Sequence, residues 1–207
     1  MLATYPPDMP LREALQRYFE VNRFGVNGGY DDAWVDFKLG PIPLPFPNTS
    51  ARLKAVRFHD LHHILTGYDT DARGEFEISA WEIAAGCRSF VAAWQLNLAG
   101  IAGGLFGAPA RTFRAFMRGR NTDTFYGLNY EELLGLTVAE ARARAGTNGA
   151  TAPAQFADVA AFVAAALAGL VMGALMLAVI VPLLPIAFVA LNLQRRGAKS
   201  AASGASF

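Results

Sequence analysis

All three histidines of this chain stand within five residues, in the string His59-Asp60-Leu61-His62-His63, and a carboxylate, Glu75, follows twelve residues after His63. Imidazole nitrogens and carboxylate oxygens bind borderline divalent cations, so the string gathers the whole imidazole supply of the chain beside two acids. On a helix, positions i and i+4 lie one above the other on a single face. His59 and His63 therefore have the spacing with which two imidazoles reach one cation, and a metal site is the first chemistry to consider. Asp60 and His62 lie on opposite flanks, each about 80° from the midpoint of that pair at about 100° per residue. Spacing does not choose between them. A lone histidine is more often a hydrogen-bonded core or surface residue than a ligand; the i,i+4 pair with acids nearby is what favours ligation.

The string and its surroundings resemble the motif of the Coq-four family of ubiquinone biosynthesis proteins. The resemblance is carried by His59-Asp60-x-x-His63, then eleven residues and Glu75, with Phe58 before it and Leu65-Thr66-Gly67-Tyr68, Thr70-Asp71 and Gly74 within it. It is densest over residues 55–90, and weaker from Glu132-Leu133-Leu134 to Arg142, a stretch similar to the closing Leu-Leu…Arg of the family. Position by position, the resemblance implies His59, Asp60, His63 and Glu75 as catalytic residues and metal ligands; His62 is not a motif position. It implies zinc, while the same donors also suit iron(II) or manganese. The implied activity is that of a metal-dependent decarboxylase, a lyase, acting at ring carbon C1 of a polyprenylated hydroxybenzoate precursor of ubiquinone. There the carboxylate is lost and a hydroxyl takes its place. The alternative is a non-catalytic scaffold that holds a quinone precursor and organises other quinone-biosynthesis enzymes. A third option, a metal-dependent hydrolase of a membrane lipid, has no nucleophile motif in its favour. The expected partners are a polyprenylated aromatic lipid, the membrane, other biosynthetic enzymes and a second copy of the chain in a homo-oligomer.

Two other matches to these residues fail. His59-x-x-His62-His63 fits one box of the membrane di-iron hydroxylases, but those sites need far more than the three histidines of this chain. Asp69-Thr70-Asp71-Ala72-Arg73-Gly74 opens like a calcium loop, yet its fifth position is Arg73 and its twelfth is Ala80, where a carboxylate is required. With 207 residues and a net charge of +1, the chain has room for one domain and an appendage and offers no basic footprint for nucleic acid. A single cysteine, Cys87, excludes intramolecular disulfides and cysteine-rich zinc sites, and its apolar neighbours make it a small buried hydrophobe. Residues 1–8 carry neither a basic region nor an apolar core, so no secretory signal is expected and the body of the protein is expected on the cytoplasmic side of the inner membrane.

The elements that must position the site read as helices. Asp8 can cap a helix with apolar residues at Leu11, Leu15, Tyr18 and Phe19. Residues 22–50 are irregular; Pro41, Pro43, Pro45 and Pro47 alternate with Ile42, Leu44 and Phe46, which excludes a helix or a central strand and points to a connecting loop. Thr49 or Ser50 caps the histidine helix and Gly67 ends it. Glu75 then stands in the first turn of a long helix to about Leu98, and an antiparallel turn back would bring it to the end carrying His63. Glu82 shares its face, most simply as a solvated acid. Residues 99–110, with four glycines, favour tight helix packing over a groove for a lipid tail.

At the other end, residues 159–194 are 36 positions without a charge. About 20 apolar residues cross a bilayer core of about 30 Å, so this is a membrane segment. Its length, Pro182 and Pro185 leave two topologies, one kinked span or a re-entrant turn. Arg195, Arg196 and Lys199 favour a cytoplasmic C-terminus, which a single span would reconcile poorly with a cytoplasmic domain. Gly169 and Gly173, with Ala165, make a stripe suited to close helix contact. The chain thus divides into an all-α metal-binding domain (residues 1–146), a linker (147–158), a transmembrane or re-entrant apolar segment (159–194) and a basic, disordered tail (195–207).

Overall fold

The computed structural model describes residues 5–35, 38–39, 42–43 and 45–204, and side-chain caps open the two helices that carry the candidate ligands. Thr49 accepts the Arg52 N–H and Gly67, at φ 75°, closes the other end by donating to the His63 carbonyl, so α2 spans Ser50–Thr66. Asp71 accepts the Gly74 N–H and opens α3 (Ala72–Ala85). The first helix, α1 (Leu11–Asn22), buries Leu11, Leu15, Tyr18 and Phe19 as their spacing requires. Asp8 does not cap it: the helix follows Pro10 with no side-chain cap, and the Leu11 N–H reaches the Leu136 carbonyl at 2.8 Å instead.

The single helix expected from Glu75 to Leu98 is two. α3 ends at Gly86, at φ 100°, and Arg88 turns left-handed at φ 47° before α4 (Val91–Gly107) begins. Thr124 holds the break by donating to the Gly86 carbonyl at 2.6 Å. Cys87 therefore lies buried in the turn between the two helices, its thiol directed at the Glu82 carbonyl. The remaining elements are α5 (Pro109–Gly119), α6 (Tyr130–Leu134), α7 (Val138–Ala145) and α8 (Phe156–Gly204).

α3 packs between α4 and α5, and α4 packs between α3 and α8. Glycine makes both α4 contacts close. A side chain at Gly100 would collide with the Ser79 hydroxyl of α3, and a Cβ on Gly169 of α8 would stand 2.6 Å from the Leu98 carbonyl of α4. The Gly169/Gly173 stripe is thus spent on packing within the chain, and the glycines of residues 99–110 seat α4 on Phe76, Ser79 and Thr112.

α8 is one helix of 49 residues, with Pro182 and Pro185 inside it and no re-entrant turn. Its stretch Phe156–Gln194 is long and apolar enough to cross a membrane, and little of it is covered by the rest of the molecule. The helix continues to Gly204 through most of the tail expected to be disordered; residues 205–207 lie outside the described ones. The proline-rich segment is more ordered than a plain loop: β1 (Trp34–Val35) pairs antiparallel with β4 (Phe46–Pro47), and β2 (Lys38–Leu39) with β3 (Ile42–Pro43), a narrow hairpin. Pro41 and Leu44 lie outside the described residues.

Candidate metal centre

One turn of α2 apart, His59 and His63 direct their Nε2 atoms at each other across 3.2 Å. Glu75, in the first turn of α3, brings one carboxylate oxygen to 3.4 Å from His59 Nε2 and the other to 3.3 Å from His63 Nε2. Zinc–ligand bonds of about 2.0–2.1 Å at tetrahedral angles hold neighbouring donor atoms about 3.3–3.4 Å apart. The two imidazole nitrogens stand close to that spacing, and each Glu75 oxygen stands at it from one of them. Ligand atoms of His59, His63 and Glu75 all lie within 4.8 Å of one another and form a cluster able to hold a metal ion. The side chains of His59 and Glu75 are 20% and 33% exposed, so the cluster opens to its surroundings on their side.

The other nitrogen of each imidazole decides whether Nε2 is free to bind. His63 Nδ1 donates to the Tyr68 carbonyl at 3.0 Å, and His59 Nδ1 donates to Glu82 Oε1 at 2.9 Å. Both rings are thereby set in the tautomer that leaves an Nε2 lone pair facing the gap. Glu82 is the hub of this support. It is fully buried, not the solvated acid expected, and also accepts from His62 Nδ1 at 2.7 Å, from the Tyr126 hydroxyl at 2.6 Å and from the Asn97 amide. His62 is taken up on the buried flank: its Nε2 accepts the Phe125 N–H at 2.8 Å, which leaves no free nitrogen for a metal.

Burial by itself would depress the imidazole and raise the carboxyls, but their mutual attraction outweighs it around the gap. His59 is held well above its ordinary 6.5 by Glu82 and Glu75, Glu82 lies well below the usual carboxylate range, and Glu75 is brought down to about 2. His62 moves the other way, lowered by burial, as suits a neutral ring. Because His59 Nδ1 already donates to Glu82, a proton that the raised His59 takes up goes to Nε2, inside the gap. A divalent ion and that proton compete for one place.

Asp60, the fourth ligand implied by the resemblance, is not among the converging residues. It is buried on the opposite flank of α2 from His62, where the Tyr30 hydroxyl donates to Oδ2 at 2.6 Å and the Tyr18 hydroxyl to Oδ1 at 3.4 Å. The Tyr18 ring in turn stacks on His63 with centroids 5.7 Å apart. Asp60 thus acts on the cluster by fixing the ring that packs against one of its imidazoles. Tyr18 had been visible only as an apolar helix position, and Tyr30 not at all; nothing in their spacing marks them.

Two arginines secure the ligand helix at the end that carries His63. Arg118 donates to the Thr66 carbonyl at 2.8 Å and Arg142 to the Ile64 carbonyl at 3.0 Å, closing last-turn acceptors that α2 cannot satisfy itself. Arg142, singled out by the resemblance, serves the site through this cap. Comparison with known proteins adds no family: no family model, no curated protein and no solved structure matches the chain.

Proposed function

We propose that this protein is a metal-dependent enzyme of ubiquinone biosynthesis that replaces the C1 carboxylate of a polyprenylated hydroxybenzoate by a hydroxyl. The observation that carries the proposal is the convergence of His59 Nε2, His63 Nε2 and the Glu75 carboxylate on one gap, with both imidazole tautomers fixed from behind. Three donors leave a coordination position open, which favours catalysis over the closed shell of a structural ion. Zinc, implied by the resemblance, fits this donor set, as do iron(II) and manganese. Such an ion, when bound, supplies positive charge to hold ring oxygens of the substrate and to stabilise charge developing on the ring as carbon dioxide leaves. The C1–carboxylate bond breaks and a C1–oxygen bond forms, a net oxidation that consumes an oxidant of the dioxygen class. His59 and His63 keep their positions because Glu82 and the Tyr68 carbonyl hold them.

α8 fits this role because a polyprenyl tail confines the substrate to a bilayer. In this proposal α8 keeps the domain at the inner membrane on its cytoplasmic side. The test is elemental analysis of anaerobically purified protein together with lipid profiling of a deletion strain carrying Glu75→Gln. About one transition-metal ion per chain, and accumulation of a precursor that still bears its carboxylate, is the expected pair of results. A uniform fall of all late intermediates would instead favour the scaffold. Normal quinone in the Glu75→Gln strain would reject both.

A further inference from the structure

α8 is tied to the domain at both ends of its apolar stretch. At the start, Asp158 accepts from Arg120 of α5 at 2.9 Å, and Phe162 packs edge-on against Phe113 and Phe116. At the finish, the Gln194 amide pairs with the backbone of one residue at the hairpin, accepting the Trp34 N–H at 3.0 Å and donating to the Trp34 carbonyl at 3.4 Å. Between the ties, Gly169 is seated on α4, Ala187 and Leu191 are buried, and the helix also meets β1 and β4. Gly169, Ala187 and Leu191 mark a stripe of the helix that the domain covers, while Val163, Val171, Val181 and Val189 away from it are 50–63% exposed.

These ties are incompatible with a simple crossing. The two ends are 36 residues apart, about 54 Å along a helix and well over a hydrocarbon core of about 30 Å. A spanning α8 would carry Trp34 to the far side from Arg120. Yet Tyr30, four residues before Trp34, is bonded to Asp60 inside the domain, and Asn48, next to β4, holds the carbonyls of Gly29, Tyr30 and Asp32. The non-helical backbone of residues 23–33, with Asp31 and Asp32, or α2 with exposed Lys54 and Arg57, would then sit in hydrocarbon. Irregular backbone exposed to lipid is not tolerated there, and each charge adds several kcal/mol.

We propose that α8 does not cross the bilayer but lies along one face of it, with its uncovered side sunk into a single leaflet and the domain resting on its covered stripe. The partner is the lipid surface itself. From Val159 to Leu193 the exposed side chains offered to acyl chains are apolar except Asn192, near the C-terminal end, and Arg195, Arg196 and Lys199, just beyond Gln194 in sequence, suit anionic headgroups. Both ends of α8 then share one side of the membrane with the domain, which removes the conflict between a basic C-terminal flank and a cytoplasmic domain. The inference rests on the membrane association proposed above and adds its geometry.

The test is nitroxide depth in full-length protein reconstituted into vesicles of phosphatidylcholine and phosphatidylglycerol. Val163→Cys, Val171→Cys, Val181→Cys and Val189→Cys each receive one label on the uncovered side, while native Cys87 is fully buried and stays unlabelled. Oxygen and a water-soluble nickel chelate then report depth. Val171 and Val189, opposite the covered stripe, are expected at one depth, and Val163 and Val181, about 80° round the helix, at one shallower depth. A profile deepest at Val171 and Val181 and shallow at Val163 and Val189 is that of a crossing helix and overturns the inference while leaving membrane association intact. Protein that fails to float with the vesicles, with all four labels open to nickel, overturns the membrane association as well.

Discussion

Replacing His59 or His63 by alanine removes one Nε2 from a set of only three ligands, so purified His59→Ala and His63→Ala should each lose the metal. His62→Ala should differ in kind. Its ring supports Glu82 and the Phe125 N–H rather than the gap, and its loss leaves a buried acceptor and a buried donor without their partner. That costs about 2–4 kcal/mol of stability with most of the metal retained. Equal metal loss in all three variants, read by plasma emission, would put His62 among the ligands. Glu82→Gln keeps the shape but removes the charge that four donors surround, and presents an amide donor to the Asn97 amide. Metal affinity should fall about 10–100-fold, as for other supporting partners of ligand histidines. Acid acts through the proton that shares the gap. Because His59 is held above its ordinary value, the competing proton is already present at neutral pH, and affinity should rise with pH. One proton displaced per ion makes that about tenfold per pH unit below the His59 pKa. Competition with a chelator from pH 5.5 to 7.5 measures it; a flat profile would mean that the ion does not occupy the place of this proton.

At the scale of elements, the Gly169 contact makes a separable prediction. A leucine there has no room beside the Leu98 carbonyl, so Gly169→Leu should lift α8 from α4 and speed proteolysis of the segment between α7 and α8, without loss of metal. Unchanged proteolysis would show that α8 is held by its end ties alone. Which elements could be read beforehand follows from the range of the forces involved. Thr49, Gly67 and Asp71 act on their own helix ends and were legible, and the i,i+4 pair follows from helix geometry alone. The break at Gly86 was not, because the apolar pattern of α3 and α4 runs straight through it and a distant hydroxyl, Thr124, stabilises it. Glu82 was misread for a similar reason. Its charge announced solvent, while the donors that make burial tolerable come from three other elements of the chain. Asp60 shows the limit of a motif: two tyrosines, 30 and 42 residues away, take its carboxylate, and neither belongs to any local pattern.

For the molecule as a whole, truncation after Gly146 separates the metal centre from the membrane element. His59, His63, Glu75 and Glu82 belong to α2 and α3, and α3 is separated from α8 by α4 and α5. The truncated domain should therefore keep about one ion per chain. It should not be well behaved in water, because removing α8 uncovers the face of α4 around Leu98, Ile101 and Ala102, now covered by Gly169 and Gly173. Self-association or a need for detergent is the expected outcome in size-exclusion chromatography. In cells, activity on the polyprenylated substrate should drop, since the domain no longer shares the surface that concentrates the tail, whereas a short-tailed analogue in detergent should be processed at close to the full-length rate. An equal loss on both substrates with the metal still bound would mean that α8 shapes the site and does not merely bring it to the bilayer. Loss of the metal would mean that the covered stripe of α8 belongs to the folding core.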